Sequence, residues 1–507
     1  MYPVYPPRLT EEQEEYLLTN LKDWSIAHGL AVRPAPSYVP TETDPSAALA
    51  TTAPVTLFPS LFPGVCFEQA RNVAEAYNEL YAAIASDETW LKGIVEELVE
   101  IDDFMANLWK VHLKVKEEGY AHAFTLGLFR SDYMVHVDPS EPQPCVRQVE
   151  FNTIASSFGG LSSKVSGLHK HLLSIGAYPE SLNSILTDSS LPPSTSIPGL
   201  ARGMAKAHEA YLECAPTLPT CVIFLVQDLE RNVFDQRHLE YAVNEHGIRV
   251  FRLPFSRVLK DTHVDANRKL IYTPPQSPGQ RFEVSLVYLR AGYSPTEYDN
   301  EAAWDARLQL ERSAAIKCPS VLLQLAGTKK VQQVLATPHS PHLKRFLPDE
   351  KQAAAVLKTF APIYPLDKSE AGMEARKLAT NPDSAVRYVA KPQREGGGNN
   401  IYRKAIPDFL HSLPESHWPA HILMEMIEPP EQNNVIFRNG ETQQGGVICE
   451  LGVYGACLWK QGDADGKPHI TSNFEAGYLL RTKGDASEEG GVAAGFGAVD
   501  SVALVDV

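Results

Sequence analysis

The densest set of chemically capable side chains lies in AKPQREGGGNNIY, residues 390–402. Three consecutive glycines, Gly396, Gly397 and Gly398, carry no side chains, so their backbone N–H groups can approach phosphate oxygens closely. Lys391 and Arg394 add positive charge, and Glu395 adds a carboxylate suited to Mg²⁺. Glycines alone would read as a surface turn. Glycines ringed by Lys, Arg and Glu favour a loop that handles phosphates. The segment matches neither the GxxxxGK[ST] P-loop nor the GxGxxG dinucleotide fingerprint. A second small-residue loop, GDASEEGGVAAG at 484–495, follows LLRTK. Beside it Arg481 can clamp a carboxylate in bidentate fashion and Lys483 can hold a phosphate, with an acidic linker as the equal alternative.

In VEFNTIASSFGG, residues 149–160, Glu150 and Asn152 stand two apart on a strand-like run. Period two puts both side chains on one face. A carboxylate and an amide oxygen together suit Mg²⁺, which prefers oxygen ligands and keeps waters and phosphates in its shell. A solvated edge strand is the alternative for the pair taken alone. Ser156, Ser157, Gly159 and Gly160 follow with further donors and close-approach positions. There is no HExxH and no Cys/His pair with zinc spacing, which argues against zinc chemistry, and no GxSxG elbow of a serine hydrolase.

These segments must be positioned by surrounding elements. Thr10 with Gln13 reads as a capping box opening an amphipathic helix. Residues 34–54 are rich in Pro and Thr and break regular structure, and residues 67–118 return to helical periodicity. Strand-like runs then appear at 146–154, 221–227, 284–290, 387–392, 421–427, 446–460 and 478–483, with helical stretches such as 304–317 and 327–335 between them. Strands alternating with helices indicate an α/β chain. Linkers are expected at 191–199 and 273–280.

The chain has 507 residues, enough for about three domains at a typical ~150 each. With 44% hydrophobic and 21% charged residues it is expected to be globular. Lys+Arg 46 against Asp+Glu 62 leaves a net charge of −16, which argues against nucleic-acid and anionic-membrane partners. The first residues suggest no signal peptide, and no apolar run approaches the ~18 residues of a membrane span. Seven scattered cysteines with no CxxC pair read as free thiols in a reducing compartment, so a cytoplasmic enzyme is expected.

KPQREGGGNN with ILMEMIEP, LAGTKKVQQVLA, ERNVFDQRHLEY, YLRAGYSP, ERSAAIKCP and LLRTK followed by EEGGVAAG resemble eukaryotic-type glutathione synthetase, in the family's order, from about 126 to 500. The resemblance implies a permuted ATP-grasp fold with an inserted α/β substrate-binding domain and mobile glycine-rich lid loops, typically as a homodimer. It divides the chain into a helical region at 1–120, an ATP-grasp part with the metal and substrate strand at 121–218, an inserted domain at 219–327, and an ATP-grasp and lid region at 328–507. The implied reaction joins glycine to γ-glutamylcysteine, with ATP as co-substrate, through an acyl phosphate. The alternatives are a same-fold ligase that takes β-alanine and a catalytically inactive nucleotide-binding relative.

By the same resemblance, Glu150, Asn152 and Glu395 hold Mg²⁺, two ions per active site. ATP falls to Glu150, Lys329, Lys391, Gln393, Arg394, Glu395, Gly396, Gly397, Gly398, Asn399, Asn400 and Tyr402, with Met424, Glu425, Met426 and Ile427 beside the adenine and Glu450, Lys483 and Glu489 completing the site. The dipeptide falls to Arg130, Ile154, Ala155, Ser156, Ser157, Glu230, Asn232, Gln236, Arg290, Ala291, Gly292 and Tyr293, and the glycine carboxylate to Arg481 with Val492 and Ala493. Arg130, Lys391 and Arg481 are the implied catalytic groups. Lys391 is expected on a solvent-facing loop. Two departures from the family pattern stand out: Glu489 where Asp is frequent, and Ala155 followed by Ser156 where some members have Ser then Ala.

Overall fold

A computed structural model describes residues 4–138, 143–394, 399–462, 467–485 and 497–506. Thr10 and Gln13 close the expected capping box on the helix Glu11–His28. Four helices then run in succession, Gly64–Asn72, Ala74–Ser86, Glu88–Val99 and Asp103–Glu118. They cover one face of a 13-stranded mixed sheet. Tyr81 stacks on Phe151 of that sheet at 3.8 Å between ring centroids. Each such buried aromatic contributes roughly 1.5–3 kcal/mol of transfer free energy. The helices Gly159–Ser174, Ser196–Tyr211 and Val233–Glu245 cover the opposite face through Leu161, Val165, Leu168, Met204 and Leu239.

The strand Phe124–His136 organises the centre of this sheet. Phe124, Leu126 and Leu128 point into one core, and Phe129, Tyr133 and Val135 into the other. One edge pairs antiparallel with Glu441–Lys460. Its other edge is divided. At Thr125 it meets Ile316–Cys318 in parallel, and from Arg130 onward it pairs antiparallel with Cys145–Asn152. Beyond Ile316–Cys318 lies a parallel run through Phe282–Leu289, Thr220–Val226 and Val250–Pro254. Ligands of such parallel strands bind outside their carboxyl ends, where Arg290 and the 227–232 loop lie. A separate four-stranded antiparallel sheet, ordered Ile363–Pro365, His421–Glu425, Tyr388–Pro392 and Ile401–Tyr402, has its own small core around Tyr388, Leu410, Trp418 and Leu423.

Several expectations are corrected. The strand Phe124–His136 is absent from the sequence reading, because both its faces are buried and no apolar–polar alternation marks it. The expected helix at 304–317 is Glu301–Arg312, and the apolar tail that prolonged its pattern becomes the strand Ile316–Cys318. Residues 196–199 of the expected linker begin the helix Ser196–Tyr211. Lys391 is not on a solvent-facing loop: it lies in the strand Tyr388–Pro392 and is 4% exposed. Among the described residues no helix is long and apolar enough to cross a membrane.

Candidate active site

The site is built where the sheet's edge divides. Asn152 lies opposite Arg130, and Glu150 opposite Asp132, so the acid and amide share a face as expected. On the other side Gly452 pairs with Asp132 and Tyr454 with Arg130. Arg130 and Asp132, two apart, form a bidentate ion pair, Nε to Oδ1 at 2.6 Å and Nη2 to Oδ2 at 2.8 Å. Glycine is required at 452, since a Cβ there would come within 2.8 Å of both Arg130 Cδ and Asp132 Oδ1. One strand further, Arg481 faces Glu450 across the ladder. Its guanidinium donates to Glu450 and, at 3.0 Å, to Asp132. Lys483 lies two residues on, on the same face as Arg481.

Two lysines reach the acidic strand from other elements. Lys329, the first residue of the helix Lys329–Ala336, sets Nζ 2.9 Å from Glu150 Oε2. Lys391 comes from the small sheet and donates to the Val149 carbonyl at 3.0 Å. Burial alone would raise Glu150, but Lys329, Lys391 and Arg481 together hold it well below the usual carboxylate range. Glu450 moves the other way: burial and the neighbouring Asp132 and Glu150 outweigh Arg481 and raise it. Arg130 stays fully protonated, because Asp132 more than offsets its burial. Among the described residues, the cations Arg130, Arg481, Lys329 and Lys391 therefore meet the carboxylates Asp132, Glu150 and Glu450 here.

Past Asn152 the strand ends and the chain turns, with Ala155 at φ 53° and Phe158 at φ 70°. Residues 155 and 156 therefore lie in this turn, beyond the strand Cys145–Asn152. The Ser156 hydroxyl donates to the Leu128 carbonyl at 3.1 Å, inside the core. Ser157 Oγ accepts from Arg290 Nη2 at 2.7 Å, and its carbonyl accepts from Tyr454 at 2.6 Å. Asp235, at the start of Val233–Glu245, accepts from the N–H groups of Phe158 at 2.8 Å and Gly160 at 2.7 Å, so it caps the helix that follows Ser157. Glu230 accepts from the Asn232 backbone N–H at 2.8 Å and from the Gln236 side chain at 2.5 Å. Gln236 in turn accepts from Arg252 at 2.8 Å. Ala291 is fully buried. The N–H groups of Gly292 and Tyr293 donate to Glu297 at 3.0 and 3.1 Å, and the Tyr293 hydroxyl accepts from Gln227 at 3.1 Å.

On the small-sheet side, Gln393 is buried and tied down: it accepts from the Lys330 N–H at 3.0 Å and donates to the Ala420 carbonyl at 3.3 Å. Arg394 pairs with Asp102, the N-cap of the helix Asp103–Glu118. Asn399 precedes Asn400, whose amide donates to the Tyr402 hydroxyl at 3.2 Å. Met424 and Ile427 are buried, and Glu425 accepts from Tyr364 at 2.8 Å. The N–H groups of Glu425 and Met426 donate to Pro362 and Arg387. A narrow cleft joins the two sides, lined by Ile154 and Tyr293 from one and Lys329, Gln393 and Arg394 from the other. Phe104, Met105, Gln324 and Thr328 complete its wall.

Glu395, Gly396, Gly397, Gly398, Glu489, Val492 and Ala493 lie outside the described residues. Of the other residues singled out from sequence, Arg130, Glu150, Asn152, Lys329, Lys391, Glu450 and Arg481 form the central array. Ser157, Arg290 and Tyr293 flank it. Asp132, Asp235, Gln227 and Glu297 were not found from sequence. Alternation with Arg130 in RSD was the one available signal for Asp132, on a strand that went unrecognised.

A family model described as "Eukaryotic glutathione synthase, ATP binding domain" matches residues 11–504. The chain belongs to the eukaryotic glutathione synthase family. It is 37% identical to the glutathione synthetase large chain of Schizosaccharomyces pombe, covering 98% of this chain and 99% of that one. It is 38% identical to the glutathione synthetase of Homo sapiens, covering 97% of each. The apo structure of a glutathione synthetase-like effector from Globodera pallida superposes with a TM-score of 0.73 at 20% identity, covering 100% of both chains, and so shares the fold. The chain is accordingly an ATP-dependent ligase of glutathione biosynthesis.

Proposed function

We propose that the central array joins glycine to γ-glutamylcysteine in two steps within the cleft. In the first, an oxygen of the dipeptide's cysteinyl carboxylate attacks the γ-phosphorus of ATP, and ADP leaves. In the second, the glycine amine attacks the acyl-phosphate carbonyl carbon, and phosphate leaves with the C–O bond electrons and takes up the proton that the amine sheds. A carboxylate is a poor electrophile until phosphorylated, which is why ATP is consumed. The chain forms no covalent bond in this scheme, so its contribution is positioning, worth up to ~7–11 kcal/mol, and charge stabilisation.

The observation that carries this reading is the convergence of Lys329 and Lys391 on the strand bearing Glu150, beside the two arginines Arg130 and Arg481. Lysines suit the transferring phosphoryl group, and arginines suit carboxylates. Arg130 orients the acceptor carboxyl and Arg481 the glycine carboxylate. Ser157, Arg290, Tyr293 and the Glu230–Asn232–Gln236 group receive the γ-glutamyl end, Glu230 offering its charge to the α-ammonium. Met424 and Ile427 give apolar contact to adenine, and Glu450 and Lys483 lie toward the ribose and phosphates.

Glu150 and Asn152 would hold Mg²⁺, with Glu395 the third oxygen ligand that the family resemblance implies. The Asn152 amide NH₂ is committed to Asp132 and to the Arg130 carbonyl, which leaves its oxygen, a hard donor, beside the Glu150 carboxylate. Mg²⁺ held there, two ions per site, would neutralise phosphate charge. The two glycine-rich segments, 393–400 and 484–495, act as lids that keep water from the acyl phosphate. The chain is then a permuted ATP-grasp fold with residues 219–327 as the inserted substrate domain, working as a cytoplasmic homodimer. Seven free cysteines support a reducing compartment.

The test is ADP release with γ-glutamylcysteine, with and without glycine, and with β-alanine in its place. The expected result is turnover only when dipeptide and glycine are both present. Preference for β-alanine, or release indifferent to the amino-acid substrates, would overturn the assignment.

A further inference from the structure

Asp132 has no solvent-exposed surface and lies at the junction of three strands. Its two oxygens take four hydrogen bonds from three side chains. Arg130 supplies two, at 2.6 and 2.8 Å, Arg481 one at 3.0 Å and the Asn152 amide one at 3.0 Å. Each bond fixes a different tool. The bidentate pair sets the plane of the Arg130 guanidinium and leaves Nη1 to reach the Ser157 carbonyl at 3.2 Å. The bond to Arg481 holds that guanidinium between Asp132 and Glu450. The bond from Asn152 decides which end of its amide is which: with the NH₂ drawn to Asp132, the carbonyl oxygen is the end left for a cation beside Glu150.

We propose that Asp132 is a positioning residue that couples the two substrate-carboxylate arginines to the cation-holding amide of Asn152. The inference rests on the roles proposed above for Arg130, Arg481 and Asn152. It adds that the peptide and cation sites share one buried carboxylate, so they fail together when it is altered. A plain counter-charge for two buried arginines would predict loss of stability alone. Outer partners of cation ligands commonly change cation affinity by ~10–100-fold, which sets the scale.

The test is Asp132→Asn in the full chain. It keeps the shape but exchanges two acceptors for one acceptor and one donor, which Arg130 and Arg481 cannot both satisfy. Mn²⁺ binding is read by electron paramagnetic resonance in the presence of ADP, and γ-glutamylcysteine binding by calorimetry without nucleotide. The expected result is a rise of about tenfold or more in both dissociation constants. Glu283→Gln is the control. Glu283 is equally buried, bonded to Tyr211 at 2.9 Å and the Thr217 N–H at 3.0 Å, and remote from the site, so it should lower the melting temperature and move neither constant. Asp132→Ser, which leaves room for water, serves if the asparagine variant does not fold. Constants within twofold of the parent would overturn the proposal. So would failure of both variants to fold, which would make Asp132 a requirement of the core. A parent chain that makes no peptide bond refutes the proposed function; an active parent with an unaffected Asp132 variant refutes this inference alone.

Discussion

Lys391→Met separates phosphoryl handling from folding. Lys391 is 4% exposed, and its ammonium spans from the small sheet to the Val149 carbonyl at 3.0 Å, next to Glu150. Methionine keeps most of the stem's packing and removes the charge. On the stability side, a charge-assisted hydrogen bond of ~1.5–3 kcal/mol is lost. Against that, an ammonium no longer has to be buried, and Glu150 keeps Lys329 and Arg481 as counter-charges. The two effects nearly offset, so the net change is about 0–2 kcal/mol and the melting temperature moves by a few degrees at most. On the catalytic side, removing one preorganised donor from a dry site costs ~2.7–4 kcal/mol, about 10²–10³ in kcat. The assay is coupled ADP release at saturating ATP, γ-glutamylcysteine and glycine, paired with thermal unfolding by circular dichroism. A kcat within threefold of the parent would refute the role. A fall in melting temperature of more than 10 °C would refute the reasoning that separates site from fold.

Arg481→Ala removes the proposed clamp on glycine, and the glycine KM should rise about 10–100-fold, the worth of a charge-assisted bond, while the ATP KM changes little; an unchanged glycine KM rejects the role. Gly160→Ala puts a Cβ 2.3 Å from the Asp235 carbonyl oxygen, so the capped helix ends must separate at a cost of ~1–3 kcal/mol; a lower melting temperature and a raised dipeptide KM are expected, and a normal variant would sink the packing argument. Lys317 is buried and pushed down to about 7 by burial, with Glu311 opposing and Arg307 and Arg268 assisting. Above that value the unfolded chain holds a proton that the folded chain has shed, so folding stability rises with pH between about 7 and 10, by up to ~1.4 kcal/mol per unit. Lys317→Met should lose that rise, and a parent-minus-variant difference in denaturant midpoint that stays flat from pH 7.5 to 9.5 would contradict it.

What sequence revealed and what it hid follow from range. The capping box at Thr10 and the shared face of Glu150 and Asn152 depend on neighbours two or three residues apart, and both are present. Seven of the twenty-one strands among the described residues were legible from β-branched and apolar runs; the rest, mostly short, were not, and neither was the one that matters most. Phe124–His136 is buried on both faces, and in its middle Arg130, Ser131 and Asp132 interrupt the apolar run with polar groups that are buried with partners, Arg130 with Asp132 and Ser131 with Gln148. Local hydropathy reads such a segment as loop. Asp235 was hidden for a related reason: its role depends on N–H groups 75 residues away across a helix packing that no local pattern encodes.

The division of the sheet edge explains why the site is where it is. A continuous strand beside Phe124–His136 would have satisfied its whole edge and left no opening. Instead Ile316–Cys318 pairs at Thr125 and Cys145–Asn152 takes over from Arg130, so the central strand has two partners on that edge that belong to different parts of the fold. One partner continues into the parallel run that ends at Arg290 and the 227–232 loop. The other carries Glu150 and Asn152 toward the small sheet with Lys391. A dipeptide and a nucleotide must meet at one bond, and a split neighbour is an economical way to bring two walls of different ancestry in the chain onto one strand. The charge that this requires inside a core is tolerable because the cations are partnered, Arg130 and Arg481 by Asp132, Lys329 by Glu150 and Lys391 by the Val149 carbonyl.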